Sequence, residues 1–267
     1  MEKDRAFEKD WNSYSDLIDA RKEAPDWEIV RQVRLTHWQE FFRIKPGQRV
    51  LDAGCGNGDY TVLACQAGAS VWAFDLSPRM VENTRRRLSR NKVSVEELAI
   101  GSVTAINYPD KFFDVVMCLA VIDHVPDSQR QHAVNELARV LRPGGALYIN
   151  TPNRFAYPWR VGRWMMSQLG LFPKGKIRFI TPAELRRLVR NAGLEPGRSL
   201  GLEFIPPFSG IYTTDLRRLT FLPDWVIGPL DQVYLAIEKW ARRRWFLKAV
   251  CYHFFLEAVL VPPLLLP

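Results

Sequence analysis

Residues 50–59 read Val-Leu-Asp-Ala-Gly-Cys-Gly-Asn-Gly-Asp. An apolar run ends on an acid, Asp52, and breaks into glycines at 54, 56 and 58. Such a stretch reads as a buried strand, a tight turn and the start of a helix. A second apolar run, 70–74, ends on another lone acid, Asp75. Glycine lets the backbone approach a ligand with no Cβ in the way. A carboxylate about 20 residues beyond such a turn is placed to take both hydroxyls of a ribose.

The details narrow the ligand. A dinucleotide turn needs a small sixth residue where helix packs on strand; here that residue is Asp59. An acid there also faces a pyrophosphate badly. The expected cofactor carries ribose but no phosphate, and S-adenosyl-L-methionine, with its ammonium, carboxylate and sulfonium, has that chemistry.

Further along, strands alternate with helices. The pattern predicts strands at 49–53, 70–74, 93–99, 115–119 and 146–150, with helices at 59–67, 78–91 and 128–141. Ser77-Pro78 supplies an N-cap and a first-turn proline. Thr181-Pro182-Ala183-Glu184 is a capping box opening a helix over 182–192, which Gly193 closes. A helix over about 25–43 precedes the first strand, a strand near 198–205 follows the capping-box helix, and another helix spans about 230–244. Residues 245–261 are apolar, with Lys248 and Glu257 inside. They fit a closing strand near 252–261, an interfacial helix or a short span.

The chain has 267 residues, 47% of them hydrophobic, which is enough for one α/β domain with insertions. Its four cysteines, at 55, 65, 118 and 251, form no Cys-x-x-Cys pair, which argues for a reducing compartment and against a disulfide framework or zinc site. No secretory signal is read at the start, so a cytoplasmic location is expected. The formal charge is +8, and residues 151–267 hold 17 Lys/Arg against 8 Asp/Glu, so this part carries the whole excess. A basic, aromatic-rich second part suits an acidic partner, an anionic membrane surface touched peripherally among them, or is simply a solvated face.

Several segments carry a family resemblance. Phe112-Phe113-Asp114-Val115-Val116-Met117-Cys118, Asp123-His124-Val125-Pro126-Asp127 and Leu137-Ala138-Arg139-Val140-Leu141-Arg142-Pro143-Gly144-Gly145 join the glycine turn. Together they resemble the class I S-adenosylmethionine-dependent methyltransferases. Thr151-Pro152-Asn153-Arg154 is similar to the branch that includes quinone-biosynthesis O-methyltransferases. The resemblance implies an α/β fold: a doubly wound, seven-stranded, mostly parallel Rossmann-like sheet with an antiparallel last strand, and it favours the strand reading of 252–261. The domain division expected is an arm at 1–24 and a methyltransferase domain at 25–267, with substrate-cap insertions at about 152–180 and 206–248.

Cofactor contacts are expected from Asp52, Gly54, Cys55, Gly56 and Gly58 in the turn, Asp75 on the ribose, and Leu76, Ser102 and Val103 around the adenine. Leu119 ends the fourth strand, Arg34 is the candidate for the carboxylate, and Tyr14 is a candidate closing residue. Relatives often carry an acid where Ser102 stands. His124 is the candidate general base or substrate orienter; the alternative is a histidine that orders its loop. Quinone-type enzymes place Glu-x-x-Glu-His here, whereas this chain has Ala120-x-x-Asp123-His124, so no metal is expected.

The insertions supply Phe155, Tyr157, Trp159, Trp164, Met165, Met166 and Phe172, which suit a hydrophobic acceptor. The expected reaction is O-methylation of a phenol, quinone precursor or polyketide. C-methylation of an isoprenoid or lipid stands as an alternative, as does RNA methylation. No RNA-binding module is visible, so nucleic acid is not the expected partner. Oligomeric state is not legible.

Overall fold

Val50, Leu51 and Ala53 of β1 (Arg49–Ala53) are buried, as a strand in the middle of a parallel sheet requires. The computed structural model describes residues 35–157, 178–204, 224–242 and 250–261, together with 160, 161, 164, 168, 244, 247 and 248. After β1 come α1 (Asp59–Gln66), β2 (Ser70–Asp75), α2 (Pro78–Arg90), β3 (Glu97–Ile100) and β4 (Phe113–Leu119). Then follow α3 (Asp127–Val140), β5 (Leu141–Pro152), α4 (Pro182–Asn191), β6 (Leu194–Leu202), α5 (Asp224–Arg242) and β7 (His253–Leu260).

The seven strands form one sheet in the order β3-β2-β1-β4-β5-β7-β6. β1 lies parallel to both β2 and β4, β2 to β3, and β4 to β5. β7 runs the other way. Tyr148 donates its hydroxyl to Glu257, while the Asn153 amide donates to the Tyr252 carbonyl, so positions rise along one strand as they fall along the other. The result is the doubly wound, mostly parallel α/β sheet with an antiparallel last strand that the resemblance implied. Its winding reverses between β1 and β4, and ligands bind in the crevice at the carboxyl ends of such strands.

The differences from expectation are local. β3 starts later than 93 because the Val93 amide bonds back to Leu88 and finishes the turn after α2. β5 starts earlier than 146. Pro143-Gly144-Gly145 does not end the pairing; a register shift opposite Phe113–Val115 absorbs it, with Gly144 at φ +76°. β6 begins at Leu194, directly after Gly193, and carries Pro196 inside it, which an edge strand tolerates. α5 starts at Asp224 and includes Pro229. Of the expected 25–43 helix, residues 35–41 are described and helical.

Residues 253–260 form the closing strand, with Phe254, Phe255, Leu256 and Ala258 buried. For residues 253–260 this decides against the interfacial helix and the span, because most of their apolar side chains are buried in the sheet. Among the described residues no helix is long and apolar enough to cross a membrane.

The described residues fall into two compact units. One is Arg43–Pro152 with Ile177–Ser199 and Phe255–Pro267; the other comprises the described parts of Met1–Phe42, Asn153–Lys176 and Leu200–Phe254. The arm at 1–24 and much of both insertions lie outside the described residues.

Both predicted caps form. Ser77 accepts from the Met80 amide at 3.3 Å, and Thr181 from the Glu184 amide at 3.1 Å. Thr181→Ala removes this acceptor and is expected to cost about 1 kcal/mol. That lowers the melting temperature by about 2–4 °C in a scan of the intact chain.

Candidate cofactor site

The turn after β1 is held from two sides. The first is β2. The amides of Gly54 and Cys55 both donate to the Phe74 carbonyl, at 2.8 and 2.9 Å. The Gly56 amide donates to Asp75 Oδ2 at 2.9 Å, and the Ser77 amide to Oδ1 at 2.9 Å. Asp75 is thereby fixed in orientation, with lone pairs to spare on both oxygens. The second is α2. Thr84 donates its hydroxyl to the Gly56 carbonyl at 2.8 Å, and Asn83 donates to the Asn57 side chain at 3.0 Å.

The glycines have distinct reasons. Gly54, at φ +90°, would put a Cβ 2.3 Å from a methyl of Val121. Gly58, at φ +76°, would put one 2.9 Å from Thr84. Gly56, at φ +54°, faces open space within 4 Å, so its bare backbone borders a vacant volume.

The electrostatics are unusual for two adjacent carboxylates. Asp52 is 2% exposed, and burial pushes its carboxyl up to about 7 from the ordinary 3.8, against a 2.6 Å hydrogen bond from Thr61; the neighbouring Asp75 pushes the same way. Burial also raises Asp75, opposed by its two amide donors and by His124. The site is thus short of positive charge. Cys55 is a buried thiol whose ionisation burial suppresses, so it contributes backbone and bulk.

Asp59 corrects part of the sequence argument. Its carboxylate forms an ion pair with Arg87 of α2, so it is not a bare acid facing the turn. The amide accounting in the turn weighs against a phosphate instead. The amides of Gly54, Cys55, Gly56 and Gly58 all donate to acceptors inside the protein, that of Gly58 to the Cys55 carbonyl at 2.9 Å. A phosphate cradle needs such groups pointing outward.

Around Asp75 the surface turns apolar. Leu76 is 37% exposed, and Ile100, which pairs with Asp75 at the end of β3, is 61% exposed. The Gly101 amide donates to the Asp75 carbonyl at 3.0 Å, which brings Ser102 and Val103 to the same edge. Ser102 shares its hydroxyl with Thr104 at 2.8 Å, and Val103 is buried. Sequence reasoning missed Ile100, Thr61, Thr84 and Val121. Strand pairing alone gives the place of Ile100; the other three are known only once α1, α2 and the β4 loop are packed.

The end of β4 completes the site. Leu119 is half-buried, and Ala120 follows at φ +56° with its amide donated to the Asn150 side chain at 2.6 Å. His124 Nε2 lies 3.2 Å from Oδ2 of the buried Asp123. Among the described residues neither Asp123 carboxylate oxygen has a hydrogen-bond partner. Nor do three His, Cys, Asp or Glu side chains gather there as a metal site. Arg34 and Tyr14 lie outside the described residues.

Residues 51–149 match the family described as methyltransferase domain. Over 167 residues the chain is 36% identical to the ubiquinone biosynthesis O-methyltransferase of Thiobacillus denitrificans, covering 60% of this chain and 70% of that one. Against the protein of the same name from Bordetella avium it is 31% identical over 192 residues, covering 70% and 79%. The chain belongs to the class I S-adenosylmethionine-dependent methyltransferases. A solved structure, the methyltransferase bound to the Haloferax volcanii Trm112 activator, shares the fold at a TM-score of 0.59 and 18% identity, covering 94% of this chain and 98% of that one.

The residues present fit this methyltransferase's donor, S-adenosyl-L-methionine. A cation is welcome beside Asp52 and Asp75, a ribose can use the free lone pairs of Asp75, and an adenine has Leu76 and Ile100 to lie against.

Two outcomes follow. Gly54→Ala places a methyl against Val121 at a strained φ and is expected to weaken donor binding at least tenfold by calorimetry, about 1.4 kcal/mol or more. Asp52 and Asp75 both hold their protons more tightly folded than unfolded. Their contribution to stability is therefore full below about pH 4 and is lost as pH rises through 7, where Asp52 must ionise in its buried site. The urea midpoint of the donor-free enzyme should fall between pH 5 and 8, and Asp52→Asn should flatten that fall. Donor affinity moves oppositely, rising across the same window.

Proposed function

We propose that this methyltransferase O-methylates a phenolic hydroxyl on a hydrophobic quinone precursor. The observation that carries the reading is His124, set just beyond β4, close enough to influence Asp75 and backed by the buried Asp123. The names of the relatives support the substrate class, since those proteins are ubiquinone biosynthesis O-methyltransferases.

Methyl transfer is an in-line displacement, and its main demand is alignment with water excluded. S-adenosyl-L-methionine supplies a methyl on a sulfonium, already an excellent leaving group. Asp52, the glycine turn and Asp75 orient the donor. His124 takes the phenolic proton as the oxygen becomes the nucleophile, a task suited to an imidazole near neutral pH. The methyl would pass from sulfur to that oxygen, the donor leaving as a neutral thioether, and His124 would hand the proton on to water. The Asp123 carboxylate, 3.2 Å away, balances the charge the imidazole gains.

The aromatic composition of residues 152–180 supports an apolar acceptor, since aromatic side chains suit the lining of sites for lipophilic ligands.

The test uses donor carrying a radiolabelled methyl, with a panel of prenylated phenols and catechols, a lipid extract and RNA. Label recovered as a methyl ether supports the reading; label on carbon or on RNA alone overturns it. His124→Ala is expected to lower kcat about 10²–10³-fold. Its donor affinity should stay within about twofold, and full turnover in that variant would remove the histidine from the chemistry.

A further inference from the structure

α5 presents three different faces. Tyr234, Glu238 and Ala241 point inward and are buried. The Glu238 carboxylate accepts the backbone amides of Glu203 and Phe204, at 2.7 and 3.3 Å, which locks this face to the end of β6. A second face carries exposed Gln232 and Lys239. The third is apolar and open to solvent: Val233 is 53% exposed, Ile237 39% and Trp240 54%, with Ala236 between them. Their spacing of four and three residues makes one continuous stripe along the helix. Among the described residues nothing covers these three large side chains, which the sequence could have made polar.

The end of the stripe is cationic. Arg244 lies over the Trp240 ring, 5.2 Å from its centroid, and the sequence there reads Arg242-Arg243-Arg244 with Lys248 beyond. The same pairing recurs in the same compact unit. Tyr157, Val161 and Trp164 are 60%, 56% and 64% exposed at helical positions, and Arg160 lies over Tyr157 at 5.5 Å. Aromatic rings capped by arginines, beside exposed aliphatic side chains, match one environment above others: the boundary between acyl chains and anionic headgroups. Excess positive charge in residues 151–267 is complementary to it.

We infer that the Val233–Ile237–Trp240 face of α5, with Arg244, docks the enzyme in the plane of an anionic lipid bilayer. The helix lies on the surface and does not cross it. The apolar stripe enters the acyl boundary, the indole sits at headgroup level, and the arginines meet lipid phosphates. The inference stands apart from the assignment of the methylated atom, because it uses none of the strand-end residues.

Flotation with vesicles tests it, using phosphatidylcholine alone and phosphatidylcholine containing about one third phosphatidylglycerol, with low and high salt. The full chain is expected to float with anionic vesicles only, and less at high salt. The triple variant Val233→Ser/Ile237→Ser/Trp240→Ser should lose binding about tenfold or more. Arg244→Gln should lose mainly the salt-sensitive part. Donor binding by calorimetry certifies that each variant is folded and is expected to be unchanged. If the triple variant fails that check, Trp240→Ser and Arg244→Gln singly decide the matter.

The inference is overturned if the wild type ignores anionic vesicles, or if folded variants float as well as wild type. It is overturned too if sedimentation shows a dimer that the face variants dissolve, since the occupant is then a second copy.

Discussion

The Asp75 carboxylate is the tie on which the site depends. One oxygen takes the Gly56 amide and the other takes the Ser77 amide, so a single side chain fastens the glycine turn to the end of β2 and to the start of α2. Hydrogen bonds to a carboxylate are about twice as strong as neutral ones, and here they work in a buried place where a loose carboxylate is costly. The same residue therefore shapes the pocket and faces the ligand. Thr84 completes the fastening from α2 by holding the Gly56 carbonyl, and Thr61 holds Asp52 from α1.

This construction selects the class of ligand. The turn spends the amides of Gly54, Cys55, Gly56 and Gly58 on the Phe74 carbonyl, on Asp75 and on its own Cys55 carbonyl, leaving a bare-backbone rim with two acids behind it. A pyrophosphate meets those acids and none of these four amides. A ligand bearing a sulfonium and an ammonium relieves an excess of negative charge that burial has already made expensive. Selectivity for the methyl donor over a dinucleotide is thus a matter of where four N–H groups point, more than of the acid at position 59, whose charge Arg87 balances.

Much of this was legible in the sequence because it rests on local rules. The alternation of apolar runs and capped helices gave the winding, and the acids at strand ends marked where the candidate site lies. What stayed hidden depends on tertiary contact. Thr61 and Thr84 look like ordinary polar helix residues until packing buries them against the turn. Asp59 looks free until α2 brings Arg87 to it. β5 and β6 both begin earlier than expected, because a register shift in one strand accommodates Pro143-Gly144-Gly145 and an edge position in the other accommodates Pro196-Gly197. The character of the 253–260 strand was decided by the sheet, since an apolar run of that length is equally compatible with a helix until it finds partners.

The loop that carries His124 depends on two backbone conformations being chosen together. At Ala120 the chain leaves β4 in the left-handed region, which costs an L-residue roughly 1–2 kcal/mol. The buried Asn150 side chain compensates by accepting the Ala120 amide at 2.6 Å, from the strand next door. The bend throws Val121 back onto the turn, into the space that a side chain at Gly54 would fill. The Val121 carbonyl then takes the His124 amide at 2.9 Å. Gly54 is thus required as much by the loop packed on it as by the ligand it faces. A strained residue on the rim of a binding crevice, held by a neighbouring strand, keeps the imidazole on the same strand edge as Asp75.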